Sequence, residues 1–139
     1  MPSKKTFYIT SAIAYVNAPP HLGHALEFIQ ADAIARYKRL MGIDTYFLTG
    51  TDEHGVKIYN TAKKKGIDTK ALVDENAAHF KALKQILGLS YDDFIQTSDR
   101  ERHWPACQKL WRKLVEKDDI YEKEYEGLYC EGCEVFLKE

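Results

Sequence analysis

Two histidines three residues apart, with a glycine between them, form the run His21-Leu22-Gly23-His24. The run lies between the loop Asn17-Ala18-Pro19-Pro20 and a long helical pattern. A helix N-terminus offers free N–H groups and the positive end of its dipole, which makes it a seat for phosphate. At i and i+3 the imidazoles of His21 and His24 project from one face, and Gly23 leaves the backbone open to a flat base. With ATP as the ligand, imidazoles and helix N–H groups there stabilise charge developing at the α-phosphate. A carboxylate attacking that phosphate needs no general base, so positioning carries much of the rate. A zinc pair, or two surface histidines, are the plainer readings of the same residues.

A second polar cluster, Thr49-Gly50-Thr51-Asp52-Glu53-His54-Gly55, follows the second strand pattern. Adjacent residues in a turn point in different directions. A single carboxylate, Asp52, pairing with a cationic ligand group is therefore simpler than a metal cluster. Ile13 and Tyr15, near the end of the first strand, supply an apolar wall with one hydroxyl. The alternatives are packing for Tyr15 and an ordinary turn role for Asp52. Cys130-Glu131-Gly132-Cys133 is half of a zinc knuckle, and a structural site needs two further ligands. His103 and Cys107 fall on a separate helix, Trp104 and Trp111 are expected in the core, and Lys63-Lys64-Lys65 reads as a solvated helix face.

These residues need a scaffold, and hydrophobic periodicity outlines one. Strands are expected over 7–13, 44–48 and 94–97. Helices are expected over 23–41, 56–65, 70–87 and 100–117. In the first helix Leu26, Ile29, Ala33, Tyr37 and Leu40 mark the apolar stripe, with Gly42 as a left-handed terminator. Asp68 is placed to cap the third helix. Strands alternating with helices imply an α/β fold with right-handed crossovers and a parallel sheet, whose ligands bind beyond the carboxyl ends of the strands. Both polar clusters then face one crevice. From about residue 116 the texture changes: Ile120 to Tyr125 alternates apolar and charged residues, and Gly127 leads into the cysteine segment, the grammar of an antiparallel hairpin. Two units follow, 1–115 and the beginning of another over 116–139.

The 139 residues are 45% hydrophobic and carry a formal net charge of −1, enough for one core and without the basic excess that marks nucleic-acid binders. No apolar segment is long enough for a signal peptide or a membrane span, so no membrane partner is expected. Three cysteines suit a reducing, cytoplasmic compartment better than a disulfide framework.

His21-Leu22-Gly23-His24 matches the His-x-Gly-His signature of class I aminoacyl-tRNA synthetases. The run Phe47-Leu48-Thr49-Gly50-Thr51-Asp52-Glu53-His54-Gly55 narrows the resemblance to the methionyl-tRNA synthetase family. Ala12 to Asn17 and Glu126 to Glu134 also resemble that family's bacterial form. The resemblance implies the first half of a Rossmann-type catalytic domain, followed by the start of a connective insertion with a zinc knuckle. It implies activation of methionine by ATP with Mg2+ to methionyl-adenylate, then transfer to tRNA(Met). Carried over by position, His21 and His24 contact the ATP phosphates and Gly23 lies under the adenine. Asp52 holds the methionine ammonium group, Ile13 and Tyr15 line its pocket, and Cys130 and Cys133 are two of four zinc ligands. The family's Lys-Met-Ser-Lys-Ser signature does not occur in these residues, so the chain is expected to be an N-terminal piece with little activity of its own. Two other readings stand beside it: another His-x-Gly-His nucleotidyltransferase, or a non-catalytic tRNA- or protein-binding module. Oligomeric state is left open by the sequence.

Overall fold

In the computed structural model, residues 5–130 and 132–137 are described. The order is β1 (Thr6–Thr10), β2 (Ala14–Tyr15), α1 (Leu22–Leu40), β3 (Asp44–Asp52), α2 (Val56–Lys65), α3 (Thr69–Ile86), β4 (Asp93–Gln96), α4 (Trp104–Val115), β5 (Tyr129–Cys130) and β6 (Val135–Phe136). β3 is the centre of a parallel sheet. Its first half pairs with β1, Tyr8 opposite Tyr46, and its end pairs with β2, Ala14 opposite Thr51 and Tyr15 opposite Asp52. β4 runs along the other edge, with Thr51 opposite Gln96. The expected parallel α/β scaffold is present.

Its first strand is not continuous to Ile13. Pairing stops after Thr10 and resumes at Ala14. In the gap the Ala12 N–H donates to Glu27 Oε1 of α1 at 2.7 Å, and Ser11 Oγ meets Thr49 Oγ1 at 2.7 Å. Side chains thus take over the polar groups of the gap, and the chain stays on the same edge of β3. β3 is longer than expected, because Thr49 to Asp52 continue the ladder instead of forming a loop.

The core joins Phe28 and Ala35 of α1, Phe47 of β3, Ile58 and Ala62 of α2, and Leu72 and Phe80 of α3. The buried stripe of α1 is Phe28, Ala31, Asp32 and Ala35, not the expected one. Leu26, Ile29, Tyr37 and Leu40 are exposed, Leu40 at 87%. The buried Asp32 has fixed donors in the loop before β4 and on its own helix: Ser90 N and Oγ, each at 2.6 Å, and Arg36 Nε at 2.5 Å. Periodicity marks both stripes and cannot choose between them.

α2 spans the expected residues, and Asp68 caps α3 by accepting the Ala71 N–H at 3.1 Å. Gly42, Gly66 and Gly88 hold left-handed terminators. α4 begins at Trp104 instead of Arg100, because Asp99 Oδ1 accepts the Glu101 and Arg102 N–H groups and forms a turn there. None of its residues is buried, and Trp111 is 60% exposed, so the expectation that both tryptophans are core fails. Residues 120–125 form no strand among the described residues. The antiparallel hairpin is confined to β5 and β6, with Tyr129 opposite Phe136. Glu131 of the cysteine segment lies outside the described residues.

Candidate active site

The two histidines build the start of α1 themselves. His21 is the N-cap, and its Nδ1 accepts the Gly23 N–H at 3.1 Å. His24 answers by accepting the His21 N–H at its own Nδ1 at 3.2 Å, a reciprocal capping box made of imidazoles. The rings stack with centroids 3.9 Å apart. With both Nδ1 atoms accepting, each neutral ring carries its proton on Nε2 and offers it as a donor. Behind them, His24 packs edge-on against the buried Phe80 ring of α3 at 4.9 Å. That burial, and then the charge of His21, lower the His24 pKa against the opposing pull of Glu27. Neutral His24 is therefore the resting form near pH 7.

Gly23 is where it is because of this stack. A Cβ there would sit 2.9 Å from His21 Cε1 and 3.0 Å from Nδ1. Only glycine leaves the N-cap ring undisturbed.

Asp52 ends β3, half-buried, with Tyr15 directly beside it in the parallel pair. The Val16 N–H donates to the Asp52 carbonyl at 3.3 Å and extends this pairing towards the histidine loop. Val16 is itself buried, and its carbonyl accepts from Asn76 Nδ2 at 2.8 Å, which fixes the loop to α3. The expected residues Tyr15 and Asp52 thus close β2 and β3 at their carboxyl ends, and His21 and His24 follow in the turn after β2, the end of an open parallel sheet that receives ligands. Ile13 lies in the gap between β1 and β2 and is 39% exposed.

The three residues Asp52, Glu53 and His54 do diverge. The buried Glu53 carboxylate accepts from Thr51 Oγ1 at 2.6 Å, from Gln96 Nε2 at 2.8 Å and from Ser98 Oγ. His54 Nε2 turns to the Thr97 carbonyl at 3.2 Å. No group of three or more metal-ligating side chains occurs among the described residues. Glu53 is a structural tie between β3 and β4, which the sequence did not mark.

Gly55 was legible only as a loop boundary. Its φ is +133°, and a Cβ on it would fall 2.0 Å from the Tyr15 hydroxyl oxygen. Burial first, and then the Glu134 carboxylate, push the Tyr15 pKa up to about 12, so the phenol is a protonated donor at neutral pH. Cys130 and Cys133 lie on the β5–β6 hairpin and are not disulfide-bonded. Hydrogen bonds from the Cys133 amide and side chain lower the Cys130 pKa. His103 and Cys107 sit apart on α4, with Cys107 Sγ 3.4 Å from His103 Nε2. No helix among the described residues is long and apolar enough to cross a membrane.

Comparison with known proteins places this geometry in a family. The model for "tRNA synthetases class I (M)" matches residues 7–139. A methionine–tRNA ligase of Brucella suis is 47% identical over 137 residues, which cover 99% of this chain and 26% of the relative. One from Clostridium tetani is 48% identical over 137 residues, covering 99% of this chain and 21% of the relative. A solved structure of Mycobacterium tuberculosis methionyl-tRNA synthetase in complex with methionyl-adenylate is 47% identical. It superposes with a TM-score of 0.91 over 96% of this chain and 26% of that one. The chain spans about a quarter of the length of these relatives. With its parallel sheet, its imidazole-capped helix and a family match that runs along nearly all of it, the chain belongs to the class I tRNA synthetases of the (M) family.

Proposed function

We propose that this chain supplies the nucleotide-phosphate wall and part of the amino-acid pocket of a methionine–tRNA ligase. In that reading the ligase joins methionine and ATP, with Mg2+ on the triphosphate, into methionyl-adenylate. It then transfers the methionyl group to tRNA(Met). The observation that carries the reading is the reciprocal histidine cap, which leaves Nε2–H as the donor on both rings at a helix N-terminus. The solved relative bound to methionyl-adenylate supports the ligand class.

His21 and His24 then donate to the α-phosphate oxygens as the methionine carboxylate attacks and pyrophosphate leaves. Donors already aimed at developing charge need no reorganisation during the step. Gly23 keeps the stack compact beneath the adenine. Asp52 holds the methionine ammonium group by a charge-assisted hydrogen bond, and Ile13 and Tyr15 flank the thioether side chain. Residues 1–115 form the catalytic half-domain, and 116–139 begin the connective insertion. Cys130 and Cys133 are soft donors, one with a lowered pKa, and so fit as two of four ligands of a structural zinc ion. A zinc ion bound there would brace the hairpin. A bare His-x-Gly-His nucleotidyltransferase gives no reason for the run Thr51-Asp52-Glu53-His54-Gly55 or for the cysteine hairpin.

The test is made in the full-length ligase. His21→Ala and His24→Ala should each lower methionine-dependent ATP–pyrophosphate exchange about 100-fold, the scale of one lost transition-state donor. Methionine Kd, measured by equilibrium dialysis, should change far less. Equal losses in both quantities would remove the transition-state role.

A further inference from the structure

The cysteine hairpin contacts Tyr15 and the start of α2 through the side chain of Glu134. Glu134 follows Cys133, and its Oε1 accepts from the Tyr15 hydroxyl at 3.1 Å and from the Lys57 backbone N–H at 3.3 Å. Lys57 Nζ donates in return to the Gly132 carbonyl at 3.4 Å. Lys57 is the second residue of α2, whose N-cap is Gly55 and offers no side-chain acceptor. Glu134 therefore supplies from the hairpin the acceptor that an N-cap serine or aspartate would supply locally. It also holds the phenol that lies over Gly55, where not even a methyl group would fit. The Glu134 backbone has a φ of +55°, a left-handed conformation that non-glycine residues avoid unless surrounding contacts fix it.

We propose that Glu134 is a positioning residue for the amino-acid pocket: its carboxylate orients the Tyr15 ring and anchors the first turn of α2, so that the cysteine hairpin sets the shape of the pocket. The proposal rests on the reading of Tyr15 as a methionine-contacting residue. β2 places its backbone beside Asp52, Gly55 leaves it room, and the hydroxyl is held between the Ile58 backbone N–H of α2 and the Glu134 carboxylate. A Tyr15 ring held less firmly would carry a larger entropic cost of being ordered each time the amino acid binds.

The experiment measures KM for methionine and for ATP in pyrophosphate exchange, with the full-length ligase and its variants. Glu134→Ala should raise methionine KM about tenfold and leave ATP KM within about twofold, the signature of lost ground-state positioning. Glu134→Gln keeps an oxygen able to accept from both donors and should stay within about threefold of the parent. Tyr15→Phe should raise methionine KM as well, and the double variant should fall short of the product of the two single effects, since the Tyr15–Glu134 hydrogen bond is lost in both. Additive effects, an unchanged methionine KM in Glu134→Ala, or an equal rise in ATP KM would overturn the proposal. Tyr15→Ala separates the two readings. If it raises methionine KM while Glu134→Ala does not, only the positioning role falls. If it leaves methionine KM unchanged, the assignment of Tyr15 to the pocket falls and takes the proposal with it.

Discussion

Gly55 and Gly66 both have positive φ, yet they answer to different constraints. Gly66 ends α2 at φ +66° with no atom within 4 Å of a would-be Cβ, so only conformational preference favours glycine there. Gly55 adds a steric demand, because a Cβ would occupy the position of the Tyr15 hydroxyl. Gly66→Ala should cost about 1 kcal/mol of stability, the usual price of a left-handed alanine. Gly55→Ala should cost about 1–3 kcal/mol, as expected of a residue forced into an unfavourable conformation, and should raise methionine KM by displacing the phenol. Thermal denaturation and pyrophosphate exchange report the two effects separately. An effect of Gly55→Ala no larger than that of Gly66→Ala would mean that the phenol moves aside freely. At this scale the His-x-Gly-His run was legible because its chemistry is local. The partner of Gly55 and most of those of Glu53 were not, since Tyr15, Gln96 and Ser98 come from other strands or loops.

Among the elements, α1 is tied to the loop before β4 by Asp32. Burial alone would raise its pKa, but hydrogen bonds from Arg36 and Ser90 outweigh burial and lower it below the ordinary 3.8. Arg36 also reaches the Gly88 carbonyl, and Arg39 bonds Ser90 Oγ at 2.7 Å and Asp92 at 2.6 Å. A carboxylate whose pKa is lowered on folding stabilises the fold above its unfolded value, and the contribution is lost as pH falls through the folded value. Asp32→Asn should therefore cost about 1–3 kcal/mol near neutral pH, the scale of a broken buried hydrogen-bond set. The urea-denaturation curves of parent and variant should converge below pH 3.8. A pH-independent difference would assign the loss to packing instead. The helix itself was foreseeable from its spacing and its Gly42 stop. The face it buries was not, because an aspartate among the alanines argues against burial until its donors are known.

For the molecule as a whole, the proposed activation site has one wall in these residues. Tyr15 and Asp52 close β2 and β3 at their carboxyl ends, the histidine turn follows β2, and no Lys-Met-Ser-Lys-Ser run to clamp a triphosphate occurs in the 139 residues. The purified 139-residue chain should accordingly show no methionine-dependent ATP–pyrophosphate exchange. Exchange above the background of a His21→Ala, His24→Ala double variant would show that this wall suffices.

Local patterns in the chain were enough to place α2 and α3, the parallel sheet, the imidazoles at a helix start and the family resemblance. Each of these depends on residues close in sequence, whose spacing sets backbone geometry and facing directly. Folding settled the break between β1 and β2, the buried stripe of α1, the open exposure of α4 and the grip of Glu134 on Tyr15. That last pair is separated by 119 positions. Such contacts depend on which elements meet and in what register, and no periodicity within one segment records the donors waiting on another.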